Sequence, residues 1–274
     1  MKLAGLLLLF SLFAICGFSQ DTVTLNAFSA KQYIKGKDTL RYRILYPKPY
    51  NNKIAYPVVL VLHGSGERGR DNKKQLAHGG SLFASEAVRS RFPAIVIFPQ
   101  CPPDSGWRKI ESVKDTTSKT GRAFSFAYRD KPTKPAMLVK TVLDSLVKSG
   151  KADAERMYVG GLSMGGFGTF DMIERYGNYF AAAFPICGGG DTSRASNFAG
   201  RVPLWLFHGD QDLSVDVKYS RQYHVVLKKL GSEVRYSEYP FVGHNSWEKA
   251  FAEYGLLPWL FSKKRQTEAV QKNY

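Results

Sequence analysis

At 274 residues, with 44% hydrophobic and 14% aromatic content, the chain can bury a sizeable core and falls outside the disordered class. Its 39 Lys and Arg against 23 Asp and Glu give a net charge of +16, which favours an anionic surface or substrate such as acidic polysaccharide or lipid headgroups. The basic residues are scattered and no reader motif is present, which argues against nucleic acid as a partner.

The first residues, MKLAGLLLLFSLFAICGFSQ, carry one lysine and then a leucine-rich run from Leu3 to Ile15. That run is too short to span a bilayer and fits a signal-peptide core. Gly17 and Ser19 place small residues for cleavage before Gln20, so residues 1–19 are expected to be removed and 20–274 to form one exported domain, periplasmic or secreted. Cys16 raises a lipoprotein alternative, which the bulky Ile15 disfavours. No later segment is long and apolar enough to span a membrane, so no stable membrane insertion is expected after cleavage.

Next, "FSAKQYI" and "TLRYRILYP" flank the polar turn "KGKD" and read as an antiparallel hairpin. "YPVVLVLHG" is a continuous apolar run, as expected of a strand buried on both faces of a parallel sheet. The pattern recurs at "PAIVIFPQ", "RMYVGGLS", "AAAFPICGG", "VPLWLFHGD" and, more weakly, "EVRYSEYP". Helical stretches lie between them: "GGSLFASEAVRSR", "KPAMLVKTVLDSLVKSG", "MGGFGTFDMIERYG", "VKYSRQYHVVLKKLG" and "SWEKAFAEYGLLPWLFSK". The alternation predicts an α/β fold: one mostly parallel sheet of about eight strands, opened by the hairpin, with helices on both faces. The polar, aromatic-dotted segment 104–135 breaks this rhythm at the end of a strand, where such folds place ligands, and reads as a lid or substrate wall, the alternative being a surface insertion. The tail from Lys263 to Tyr274 is basic and reads as solvated.

Gly161-Leu162-Ser163-Met164-Gly165 matches the G-x-S-x-G nucleophile elbow, a sharp turn that exposes the serine hydroxyl at a strand-to-helix junction. Its partners follow in chain order, acid and then histidine. Of five histidines, His208 closes a strand and His224 lies mid-helix, whereas His244 sits in the glycine-hinged "PFVGHNSWEKAF" loop after the last strand and is the expected base. In "LFHGDQDLSVDV", Asp212 is the expected acid, deep enough in the loop to turn back toward the histidine. Asp210 is the alternative acid, or else ties down the loop's own amides. The oxyanion donors are expected from the amides of Met164 and of Ser65, with Gly66 as the second choice, in the "LHGSGERGRDN" turn. Trp107 either stacks against a sugar or aromatic acid or caps the core at the base of the insert. No cofactor and no metal is called for.

"LHGSGERG", "GLSMGG" and "HGDQD…GHNSW", in that order, give the chain from about residue 28 to 262 a resemblance to the α/β-hydrolase superfamily. Within it the chain resembles exported esterases, including feruloyl and acetylxylan esterases and polyhydroxybutyrate-depolymerase-like proteins. "LHGSGERGRDN" and "FPQCPPDSGW" are similar to a bacterial branch labelled phospholipase/carboxylesterase or prolyl-oligopeptidase-like peptidase. The resemblance implies a serine carboxylesterase acting through an acyl-enzyme on small or polysaccharide-linked esters. The alternatives are a prolyl-oligopeptidase-like peptidase and a non-catalytic envelope-binding protein. The strand order it implies puts two strands between Cys101 and Cys187, near 14 Å at about 4.8 Å per strand, so no disulfide is expected.

Overall fold

The computed structural model describes residues 25–126 and 128–265. The leader, Cys16 and most of the basic tail lie outside them. The strands are β1 (Ser29–Lys35), β2 (Asp38–Leu45), β3 (Tyr56–Leu62), β4 (Ile95–Gln100), β5 (Glu111–Lys114), β6 (Arg122–Ser125), β7 (Ala152–Leu162), β8 (Ala182–Ile186), β9 (Leu204–Gly209) and β10 (Val234–Tyr239). The helices are α1 (Gly80–Ala84), α2 (Glu86–Arg91), α3 (Lys134–Lys148), α4 (Met164–Arg175), α5 (Lys218–Lys229), α6 (Trp247–Ala252) and α7 (Leu256–Phe261).

Eight strands form one sheet in the order β1-β2-β4-β3-β7-β8-β9-β10. The β1–β2 and β2–β4 pairs are antiparallel and the others parallel. All seven residues of β3 are buried, because helices cover both faces. The period of two decides which side chain goes where. Val58, Leu60 and Leu62 pack toward α3, α4 and α5, while Val59 and Val61 pack with Phe83 of α1 and with α6 and α7.

Two predicted helices are each split. Ser85 is extended and caps α2, accepting from the Val88 amide at 3.3 Å, so the 79–91 stretch breaks there. The last helix breaks at Glu253–Gly255; Pro258, which cannot donate inside a long helix, then falls in the first turn of α7. The insert contains the separate hairpin β5–β6, which the sequence reading left without structure. Cys101 follows β4 and Cys187 follows β8, with β3 and β7 between them, and both thiols are buried and free. No helix among the described residues is long and apolar enough to cross a membrane.

Candidate active site

The parallel strands finish on one edge of the sheet, and the residues just past β7, β9 and β10 meet there. Ser163 joins β7 to α4 with φ 53° and ψ −114°, a left-handed conformation that costs a non-glycine residue about 1–3 kcal/mol. Its surroundings hold it there: its amide donates to Ile186 O at 2.9 Å, and its carbonyl accepts from the Phe167 amide at 3.0 Å. Gly165 is required by close approach, since a Cβ there would lie 1.9 Å from Leu62 O. The serine is thus set in a crowded, rigid turn.

Ser163 Oγ lies 2.9 Å from His244 Nε2, and His244 Nδ1 lies 2.7 Å from Asp212 Oδ2. A carboxylate only accepts, so Nδ1 carries the proton and Nε2 is left to accept from the serine hydroxyl. The other Asp212 oxygen accepts from the amides of Ser214 and Val215 at 2.7 and 2.9 Å. Burial by itself would raise the Asp212 pKa. Hydrogen bonds from His208 and His244, the nearby His244 charge and the Val215 amide outweigh it and hold the group well below the usual carboxylate range. The acid therefore stays ionised beside the imidazole.

The loop amides expected of Asp210 are held by Asp212 instead. Asp210 donates its own amide to Tyr239 O, and its Oδ1 is buried with no partner among the described residues. The structure thus places Asp212, not Asp210, against the imidazole.

His208, which the sequence placed at the close of a strand, is fully buried directly beneath this carboxylate. Its Nε2 lies 3.0 Å from Val215 O and 3.3 Å from Asp212 Oδ2, both acceptors, so Nε2 carries the proton. The Ser220 hydroxyl, 2.7 Å from Nδ1, completes the ring's bonding. A histidine two residues before an aspartate-bearing loop was the available signal; its contact with the acid depends on how that loop folds back.

Met164 opens α4, so its amide has no intrahelical acceptor and stands at the positive end of the helix. Ser65 and Gly66 lie exposed in a short 3-10 turn after β3. The start of that turn is clamped. His63 Nε2 accepts from the Cys101 amide at 2.9 Å, and its Nδ1 donates to Gly64 O at 2.6 Å. Burial lowers the pKa of this imidazole to about 4, so it serves as a neutral strut. Gln100 bridges the rest of the loop, donating to Glu67 O and Asp71 Oδ1 and accepting from the Asn72 amide.

Trp107 corrects a sequence expectation. It is 1% exposed, donates to His63 O at 3.0 Å and packs so closely on α4 that a Cβ at Gly168 would come within 2.4 Å of its own Cβ. No face is open for stacking on a ligand; the residue caps the core at the base of the insert. Cys187 Sγ, the Asp212 carboxylate and the His244 ring lie within 4.8 Å of one another. Burial, then the Asp212 charge, push the thiol pKa far up, so it packs under the elbow as a neutral group, a poor metal donor.

Sheet order, elbow and converging strand ends define a hydrolase of the α/β-hydrolase fold. Residues 51–254 match the Phospholipase/Carboxylesterase family, and the chain belongs to that family of carboxylesterase hydrolases. It is similar to a solved thermostable esterase, 34% identical with a TM-score of 0.77, covering 88% of this chain and 64% of that one. A bifunctional acetylxylan esterase/xylanase of Neocallimastix patriciarum is 34% identical over 156 residues, which are 57% of this chain but 19% of that protein. A protein of Oryza sativa subsp. japonica named as a probable carboxylesterase is 26% identical over 205 residues, covering 69% of this chain and 81% of its own length. The chain therefore spans under two thirds of the length of the first and second of these relatives.

Proposed function

We propose that the protein is a serine carboxylic-ester hydrolase working through an acyl-enzyme on small or carbohydrate-linked acyl groups. The unbroken hydrogen-bonded line from Ser163 Oγ through His244 to Asp212 is the observation that carries this reading. His244 Nε2 takes the hydroxyl proton as Ser163 Oγ attacks the ester carbonyl. The amides of Met164 and Ser65, with Gly66 in reserve, stabilise the tetrahedral oxyanion; one such donor contributes about 2.7–4 kcal/mol in comparable sites. His244 then protonates the departing alcohol, and a water activated by the same nitrogen releases the acid and restores Ser163. Asp212 keeps the imidazole in the tautomer this needs.

The carbohydrate-linked part of the reading is supported by similarity to the acetylxylan esterase/xylanase. The test is hydrolysis of p-nitrophenyl, feruloyl and acetyl-xylan esters and of proline-containing peptides by the purified protein, with a fluorophosphonate label on Ser163. Ester turnover and labelling, both lost in Ser163→Ala, are expected. Peptide cleavage without ester cleavage would replace the reading with a peptidase.

A further inference from the structure

A groove of about 1390 Å³ runs beside the Ser163 edge, between the β1–β2 turn, the loops after β3 and β4, and the segment leading into α3. Ten lysines and arginines line it against four aspartates. Three of those aspartates are already engaged: Asp38 by Lys134 at 3.0 Å, Asp104 by Arg70 at 3.6 Å and Asp171 by Arg175 at 2.8 Å. Lys37, Arg41, Arg68, Lys109 and Lys131 pair with no carboxylate among the described residues. Scattered surface lysines mean little, but unpaired cations gathered in one concavity focus their field on whatever enters it.

The groove comes to within one side chain of Met164, although none of Ser163, Asp212 and His244 lines it. Gly106 and Arg68 line it, and a Cβ at Gly106 would stand 3.7 Å from Met164 Sδ and 4.0 Å from Arg68 Nη2. Met164 is the residue after Ser163, so a chain whose ester sits on the serine can continue past the Met164 side chain into the cations. The walls are held in place. Arg175, paired with Asp171 of its own helix, also donates to Arg129 O at 2.7 Å and Asp130 O at 3.3 Å, tying the 129–131 segment to α4.

The lining selects among anions. No Phe, Tyr or Trp contributes to it, and Leu40 and Leu138 are 1% and 2% exposed. Ile110, Pro102, Pro103 and Pro132 give the groove scattered apolar contacts, and no aromatic ring is present in it on which a nucleobase could stack. Thr39 and Ser105 lie among the cations, giving partners for hydroxyl groups as well as charges. We propose that this groove binds a carboxylate-bearing sugar chain, a uronate-containing oligosaccharide that carries the ester Ser163 attacks. The proposal rests on the ester-hydrolase reading above and names its substrate class.

Two measurements separate the two. The first uses Ser163→Ala protein, which cannot turn over, and reads binding of a glucuronate-bearing xylan oligosaccharide by calorimetry. Binding should weaken about tenfold when Arg41→Gln, Lys109→Gln and Lys131→Gln are added, the combined effect of three solvent-exposed charge contacts. The second uses unmutated protein and compares kcat/KM on acetylated glucuronate-bearing oligosaccharides with the same material after its carboxyl groups are reduced to alcohols. The acidic form should be preferred at low salt, and the preference should shrink as salt rises from about 50 to about 500 mM, which shortens the screening length several-fold. Equal kcat/KM on the two forms, or a ratio unmoved by salt, overturns the proposal while leaving the esterase reading intact. So does tight binding to phosphatidylglycerol vesicles with none to the oligosaccharide. If no ester is cleaved yet oligosaccharide binding responds to the three substitutions, the esterase reading fails and the groove assignment survives.

Discussion

Ser163, Asp212 and His244 stand just past the ends of three strands of one sheet, whereas the 104–135 insert hangs mainly on a buried ion pair and an aromatic cluster. In the first region the functional side chains follow strand ends and are held by hydrogen bonds; Asp212 alone accepts from two amides and two histidines. In the second, all four residues of β5 are exposed, and the hairpin is held through its base. Arg108 there bonds Glu174 Oε2 at 2.8 Å and Phe126 O at 2.5 Å, while Glu174 Oε1 accepts from the Tyr223 hydroxyl and the Asp191 amide. Phe126 packs on Phe167 and Tyr219 with centroids 5.3 and 5.2 Å apart. The triad is placed at the ends of sheet strands, and the insert is attached to the core through Arg108 and Phe126.

The comparison breaks if the triad edge tolerates substitution. Ser163→Ala should lower kcat on a p-nitrophenyl ester by about 10⁶-fold with the fold intact by circular dichroism; a rate within tenfold of the parent would remove Ser163 from the mechanism. Asp212→Asn should cost about 10⁴-fold in kcat, because the amide can present its N–H to Nδ1 and invert the imidazole tautomer. An equal loss in KM with kcat preserved would point to a binding role instead.

On the other side, Arg108→Ala should destabilise the protein by about 3–5 kcal/mol in urea unfolding, because it leaves Glu174 buried without its cation. Burial, against the opposing pull of Arg108 and Tyr223, already raises the Glu174 pKa. If the mutant unfolds at the parental urea concentration, the ion pair is not what anchors the insert.

The smallest effect concerns the strut beneath the oxyanion turn. Unfolded His63 takes up a proton near pH 6.5, whereas the buried ring stays neutral down to about 4. The unfolded state therefore binds more protons in that window, and stability, complete above pH 6.5, falls by about 3 kcal/mol as pH drops to 4. His63→Gln keeps a donor and an acceptor but does not titrate. Its unfolding free energy should lose that portion of the pH slope; an unchanged slope would assign the acid sensitivity elsewhere.

Much of this was legible in the chain itself. Strands buried on both faces announce themselves as unbroken apolar runs, and the glycines around Ser163 mark a turn that no other residue could fit, as the 1.9 Å approach of a Gly165 Cβ to Leu62 O makes plain. Those local signals determined the sheet, the elbow and the chain order in which acid and base had to follow. What they left open turned on contacts between residues far apart in sequence. Asp210 and Asp212 are two positions apart in one loop, and only the fold-back of that loop over His208 decides which carboxylate faces His244. Trp107 looks as fit for a sugar as for a core until Gly168, sixty residues on, brings α4 against it. The basic groove, likewise, draws its cations from the β1–β2 turn, two loops and the run into α3, so composition could report the excess charge while only tertiary packing could gather it beside the serine.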